Sequence, residues 1–153
     1  MQAFLKGEPM KICIVDDEEC IRESFKIHLE LLGHQVVTFE EPCFCNLYNG
    51  QSCKRDAPCV DLIFLDYRLP EMNALELAQR IWNQGCREMI PNIVIMTGDA
   101  TPVDRRDIER LGCRLEQKPL SLHDLDSIII NAEDLIELNR NRAKFIYRRQ
   151  ATV

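Results

Sequence analysis

Five short apolar runs are spread along this chain, with longer stretches between them, and that alternation limits the fold more than any other feature. Lys11–Val15, Gln35–Phe39, Val60–Leu65, Asn92–Met96 and the weaker Cys113–Gln117 have the composition and length of strands. Between them, apolar residues recur at helical spacing: Ile21, Phe25, Leu29 and Leu32, then Leu75, Leu77, Ala78, Ile81 and Trp82, then Ile108 and Leu111. Gly33, Gly85 and Gly112 stand where these helices should stop, and Pro102 suits the first turn of the third. Glu41–Tyr48 predicts a further short helix and Asn49–Cys59 a loop. Ser121 with Asp124 three residues on is an N-cap signature for a last helix. Strand and helix thus alternate five times with short connections, which predicts an α/β fold with a parallel sheet and helices on both faces.

In an open parallel sheet, residues just past the carboxyl ends of the strands converge on one crevice, where ligands bind. The residues in those positions are Asp16 and Asp17, Asp66, Thr97 and Lys118. Adjacent carboxylates are costly to hold together unless a cation shares their charge. Mg²⁺ takes oxygen ligands and keeps several waters, so two or three strand-end carboxylates suit it. A carboxylate such as Asp66 can act as a nucleophile toward phosphorus. Thr97 can donate to one phosphate oxygen, and Lys118 supplies a point charge to another. Taken singly, each residue has a plain structural use as a helix cap, a strand residue or a solvated charge. Their common register points to a phosphoryl-transfer site.

Bulk properties narrow the setting. A chain of 153 residues allows one domain with a proper core. Its 46% hydrophobic and 29% charged residues exclude wholesale disorder. The net charge of −6 argues against nucleic acid as the main partner. Charge is uneven: Arg140, Arg142, Lys144, Arg148 and Arg149 are basic with no acid among them, leaving −11 on residues 1–139. No run approaches the roughly 20 apolar residues of a membrane span, and Met1–Met10 carries no signal-peptide run. The expected location is cytoplasmic, with the eight cysteines as reduced thiols.

The segments V-D-D-E at 15–18, L-D-Y-R-L-P-E-M at 65–72, I-M-T-G at 95–98 and K-P at 118–119 together resemble the signature of the response-regulator receiver domain. The resemblance runs from about Lys11 to Asn131 and is specific in combination. It implies a flavodoxin-like (βα)5 doubly wound sheet with strand order 2-1-3-4-5. It also implies that Asp66 accepts phosphate from a histidine kinase or phosphotransfer protein. Asp17, Asp66 and the backbone carbonyl of Arg68 would bind Mg²⁺ with help from Asp16, while Thr97 and Lys118 hold the phosphoryl group. The Lys-Pro bond is usually cis in the family. Such a domain catalyses its own phosphorylation and dephosphorylation and is otherwise no enzyme.

Some features depart from the family pattern. Leu115 stands where the family carries Tyr or Phe, so aromatic coupling to Thr97 cannot operate in its usual form. Asn73 and Ala74 follow Met72 where the family commonly has Gly, and Ala tolerates positive φ poorly. Arg68 and Asp99 flank the path of the hydrolytic water in the family, and their pairing would lengthen the phosphoryl lifetime. The segment from Glu41 to Cys59 is longer than expected and holds Cys43, Cys45, Cys53 and Cys59. Their spacing matches no zinc or iron–sulfur motif, so they are read first as structural thiols. The competing function is a redox- or metal-responsive module on a receiver scaffold that uses them. A haloacid-dehalogenase phosphatase also uses a nucleophilic Asp with Mg²⁺, but normally needs a second Asp where this chain has Arg68.

The expected organisation is an N-terminal extension at 1–10, the receiver at 11–131 and a basic helical extension or linker at 132–153. The extension offers three uses: a solvated tail, a linker to an output domain, or a partner-packing helix that could pair two copies as a homodimer. No nucleic-acid motif is present. His28, His34 and His123 are assigned to helix surfaces or turns without a role.

Overall fold

The computed structural model describes residues 7–84, 86–98 and 103–150, with the side chains of 87, 88 and 145–150 left aside. Five strands form one parallel sheet: β1 Lys11–Val15, β2 Gln35–Phe39, β3 Leu62–Asp66, β4 Ile93–Thr97 and β5 Arg114–Gln117. Their order is β2-β1-β3-β4-β5, as the resemblance implied. The helices among the described residues are α1 Glu19–Leu31, α2 Ala74–Asn83, α3 Arg105–Leu111 and α4 Leu122–Gln150, plus a short 3-10 helix at Arg87–Asn92 that the sequence did not suggest.

Strand periodicity divides the core into two layers. Ile12 and Ile14, Leu62 and Phe64, Val94 and Met96 point to one face, where α1 contributes Phe25 and Leu29 and α4 contributes Leu125, Ile128, Ile129 and Ala132. Cys13 and Val15, Ile63 and Leu65, Ile93 and Ile95 point to the other, beneath Leu77, Ala78 and Ile81 of α2 and Ile108 of α3. The central strands are therefore apolar throughout, the signature of a sheet covered on both sides. Each fully buried aliphatic side chain is worth about 1.5–3 kcal/mol relative to exposure. Burying both faces of a small sheet is what holds its edges in register.

The second crossover differs from expectation. Glu41–Tyr48 forms turns, not a helix. Cys, Phe, Asn and Tyr are middling helix formers, and an eight-residue stretch cannot offset the cost of nucleation unaided. Its backbone is satisfied elsewhere: the Cys45 amide donates to the Pro42 carbonyl, the Asn49 side chain donates to the Cys43 carbonyl, and Arg80 Nη1 donates to the Leu47 carbonyl. Leu47 and Tyr48 are buried here and cover the sheet in place of a helix. Trp82 also departs from expectation: α2 buries Ala74, Leu77, Ala78 and Ile81, leaving Trp82 42% exposed.

Chain ends of the helices follow their sequence signals. Gly33 and Gly112 adopt positive φ of 92° and 99° after α1 and α3, a conformation that carries little penalty only without a Cβ. Pro102 and Gly85 lie outside the described residues. Ser121 and Asp124 cap α4 reciprocally, with Ser121 N to Asp124 Oδ2 at 2.7 Å and Asp124 N to Ser121 Oγ at 3.1 Å. Helix α4 then runs unbroken to Gln150. His34 is buried rather than on the surface, its Nδ1 accepting from the Met10 amide at 3.1 Å. Burial lowers its pKa, so the neutral ring required of an acceptor is favoured. His28 joins α1 to α4 through Asp126, 2.6 Å away.

Candidate functional site

The β1–α1 turn builds the acidic corner. Asp16 N donates to the Phe39 carbonyl of β2, and Asp16 Oδ1 accepts from the Glu18 amide at 2.9 Å. Arg22 reaches back from the first turn of α1, its Nη1 donating to the carbonyls of Asp16 at 2.8 Å and Asp17 at 3.1 Å. Its Nη2 lies 3.8 Å from Glu40 Oε1 at the end of β2. This clamp ties down a turn whose two acids repel each other. Arg22 was not picked out from the sequence, and Glu18 entered only as the end of the V-D-D-E segment. A long basic residue five positions after the Asp pair was the only available signal for Arg22.

Asp66 is the last residue of β3, opposite Met96 in the β4 register. The loop after it is pinned at both ends. The Tyr67 amide donates to the Met96 carbonyl and the Ala74 amide to the Tyr67 carbonyl, each at 2.8 Å. Arg68 is exposed and paired in an isolated antiparallel bridge with Asn73. Ala74 begins α2, and no non-glycine described residue has positive φ, so the missing Gly is accommodated without strain. Asn73 closes a capping box with Glu76. Asn73→Ala is expected to cost about 1 kcal/mol of stability. Urea unfolding would show it as a lower midpoint at unchanged slope.

Thr97 ends β4 and is buried. Its carbonyl accepts from the Lys118 amide at 2.7 Å, which fixes the start of the β5–α4 loop. The Lys118-Pro119 bond is cis. Lys118 Nζ then lies 2.6 Å from Asp16 Oδ2, 3.4 Å from Asp66 Oδ1 and 3.9 Å from Glu18 Oε1. The side chain of Asp16 is fully buried, and those of Asp66 and Lys118 are 12% and 16% exposed. Burial raises the Asp66 pKa, Lys118 pulls it back, and Asp16 pushes it up again. Burial alone would lower the Lys118 pKa, yet the Asp16 and Asp66 carboxylates outweigh it and raise it. Five residues named from the sequence thus stand on adjoining strand ends. Of the pair expected beside the hydrolytic path, Asp99 lies outside the described residues.

The acids fit a hard divalent cation. Carboxylate oxygens of Asp16, Asp17 and Glu18 lie within 4.8 Å of one another. Asp16 Oδ2, fully buried, is held against the Lys118 ammonium at 2.6 Å. One ammonium beside the carboxylates of Asp16, Glu18 and Asp66 leaves an excess of negative charge that an oxygen-seeking cation would offset. Asp66 is not in this close group; the Lys118 ammonium stands between it and Asp16.

Comparison with known proteins agrees with this fold. The family model described as response regulator receiver domain matches residues 12–129. The transcriptional regulatory protein CrdR of Helicobacter pylori is 37% identical over 75 residues, covering 48% of this chain and 32% of that protein. A chemotaxis protein CheY homolog of Campylobacter jejuni is 31% identical over 88 residues, covering 58% and 65%. The chain thus matches less than two thirds of the length of these relatives. A receiver domain protein from Clostridium thermocellum superposes with a TM-score of 0.66 at 22% identity, over 84% of this chain and 97% of that one, a likeness of fold. Among the described residues no helix is long and apolar enough to cross a membrane.

Proposed function

The chain belongs to the response regulator receiver domain family of two-component signalling, and from that premise we propose that Asp66 is its phosphoryl acceptor. The observation that carries this reading is the Lys118 ammonium held between the buried carboxylates of Asp16 and Asp66. Asp66 Oδ attacks the phosphorus of a phosphohistidine on a histidine kinase or phosphotransfer protein. The P–N bond breaks as the P–O bond forms, and the histidine leaves with the nitrogen's electron pair. Lys118 offsets charge on one phosphoryl oxygen, and the Thr97 hydroxyl donates to another. Such transfer depends mainly on positioning and charge neutralisation. Mg²⁺ bound by Asp16, Asp17, Asp66 and the Arg68 carbonyl would supply further neutralisation of the phosphoryl oxygens. Glu18 extends this acidic set. The Arg22 clamp keeps the β1–α1 turn in place while charge is redistributed. The protein's chemistry is its own phosphorylation and dephosphorylation.

The signal is a shift between two conformations of the β4–β5 face, read by a downstream protein or output domain. Leu115 lies opposite Ile95 in β4 and packs on the core. Its side chain cannot hydrogen-bond to Thr97, so the shift is carried by other elements. In this reading 11–131 is the receiver and 132–153 a basic C-terminal extension or linker toward a partner.

Acetyl phosphate tests the proposal directly. Uptake of one phosphoryl group is expected with Mg²⁺ and is expected to fall to background with a chelator. Undiminished uptake in chelator would refute the role of the cation, and no uptake under either condition would refute the reading as a whole.

A further inference from the structure

We propose that Cys45, Cys53, Cys59 and Cys86 form a second, thiolate metal site that binds Zn²⁺ and holds the helix-less second crossover against the sheet. These four cysteines line one cavity. Three come from the turn-rich segment between β2 and β3, and the fourth comes from the chain just after α2. Sequence spacing conceals the set, because its fourth member is remote and Cys43, which belongs to the run in sequence, is exposed and does not line the cavity. No disulfide joins any of the eight cysteines.

Count and surroundings favour a metal over a disulfide. A disulfide uses two sulfurs, whereas four cysteines from two chain segments on one cavity match the ligand number of a closed structural zinc site. The remaining lining is largely apolar, including Phe44, Leu47, Ile63, Ile81 and Met89, with Asn46 and Arg55 but no carboxylate. Burial raises the Cys45 pKa, and hydrogen bonds from the backbone N–H groups of Tyr48 and Leu47 only partly offset it. Outer hydrogen bonds of this kind orient metal ligands. Four thiolates around Zn²⁺ leave an excess of two negative charges. Arg55 lines the same cavity, and Arg80 is anchored beside it on the Leu47 carbonyl.

No three of the four sulfurs lie within 4.8 Å of one another, so binding draws them inward. The segment that must move has turns and no helix or strand from Glu40 to Asp61. Each thiol that ligates releases its proton to solvent. The gain is structural: the metal links the crossover to the end of α2, where the expected helix would otherwise have supplied the packing.

Cobalt(II) titration of the full chain, with excess Mg²⁺ present to occupy the acidic site, tests this inference separately from the phosphorylation reading. The expected result is about one ion per chain with the absorption of a tetrahedral thiolate site, displaced by Zn²⁺. Loss of that absorption is expected in Cys53→Ser, Cys59→Ser and Cys86→Ser, but not in Cys20→Ser or Cys43→Ser. Alkylation mapping of the unmutated chain covers any variant that fails to fold: Zn²⁺ should protect Cys45, Cys53, Cys59 and Cys86 together. Absence of thiolate absorption, protection of a different set, a disulfide within the four, or an iron–sulfur chromophore would each overturn the proposal.

Discussion

Asp66→Asn is expected to take up no phosphoryl group from acetyl phosphate and, at the same time, to unfold at a higher denaturant concentration than the unmutated chain. The first effect follows from chemistry, since an amide is not a nucleophile toward phosphorus at neutral pH. The second follows from burial. The Asp66 carboxyl is largely withdrawn from water beside a second buried acid, and its pKa is raised, by desolvation first and by Asp16 beyond the compensating pull of Lys118. A group whose folded pKa is raised contributes stability below its unfolded value and loses it as pH rises through the folded value. At neutral pH the ionised Asp66 is therefore a cost, and the amide removes it. The gain should be about 1 kcal/mol, the size usual when a functional site is neutralised. It should shrink in acid, where the native carboxyl is protonated. Chemical unfolding of both chains across the acid-to-neutral range measures it. Equal stability at neutral pH would mean that Lys118 fully offsets the burial.

Lys118→Met is expected to produce the opposite pairing, with activity and stability both falling. Losing one preorganised charge at a transferring group costs roughly 100- to 1,000-fold in rate. The same change leaves two buried carboxylates without their cation. Breaking a buried pair by removing one partner costs about 3–5 kcal/mol when the other stays charged. Protonation of Asp66 limits the loss here, so about 2–3 kcal/mol near neutral pH is the expectation. The Lys118 pKa is raised by its carboxylates, which outweigh burial, so in the native chain this contribution persists through neutral pH and is lost only in alkali, as pH rises through the folded value. Added Mg²⁺ should restore more stability to the variant than to the unmutated chain, because it replaces the missing cation. Thermal unfolding with and without Mg²⁺, beside single-turnover phosphorylation, separates the two effects. A variant as stable as its parent would show that Lys118 is not the counter-charge of this pair.

Much of the site was legible because strand ends and chemistry coincide in the sequence. Asp16, Asp66, Thr97 and Lys118 each follow a run whose apolar pattern marks a buried strand, and parallel topology brings such positions together. Glycine at 33 and 112 marked helix ends for the same local reason. What escaped was governed by tertiary contacts. The stretch around Leu47 and Tyr48 has a helical apolar spacing, but its backbone finds partners in Asn49 and Arg80, and no local rule reveals that. Trp82 fits the spacing of α2 yet stays 42% exposed, because the buried face of that helix is Ala74, Leu77, Ala78 and Ile81. Arg22 acts on backbone carbonyls, so its role depends on where α1 folds back over the turn. Cys86 joins Cys45, Cys53 and Cys59 only in space.

The most direct test of the account is to locate the phosphoryl group on the unmutated chain. After brief exposure to acetyl phosphate and Mg²⁺, borohydride reduction and peptide mass mapping mark the carboxyl that was phosphorylated. A single modified residue at Asp66 is the predicted result. Modification at Asp16, Asp17 or another side chain, with Asp66 untouched, would contradict it.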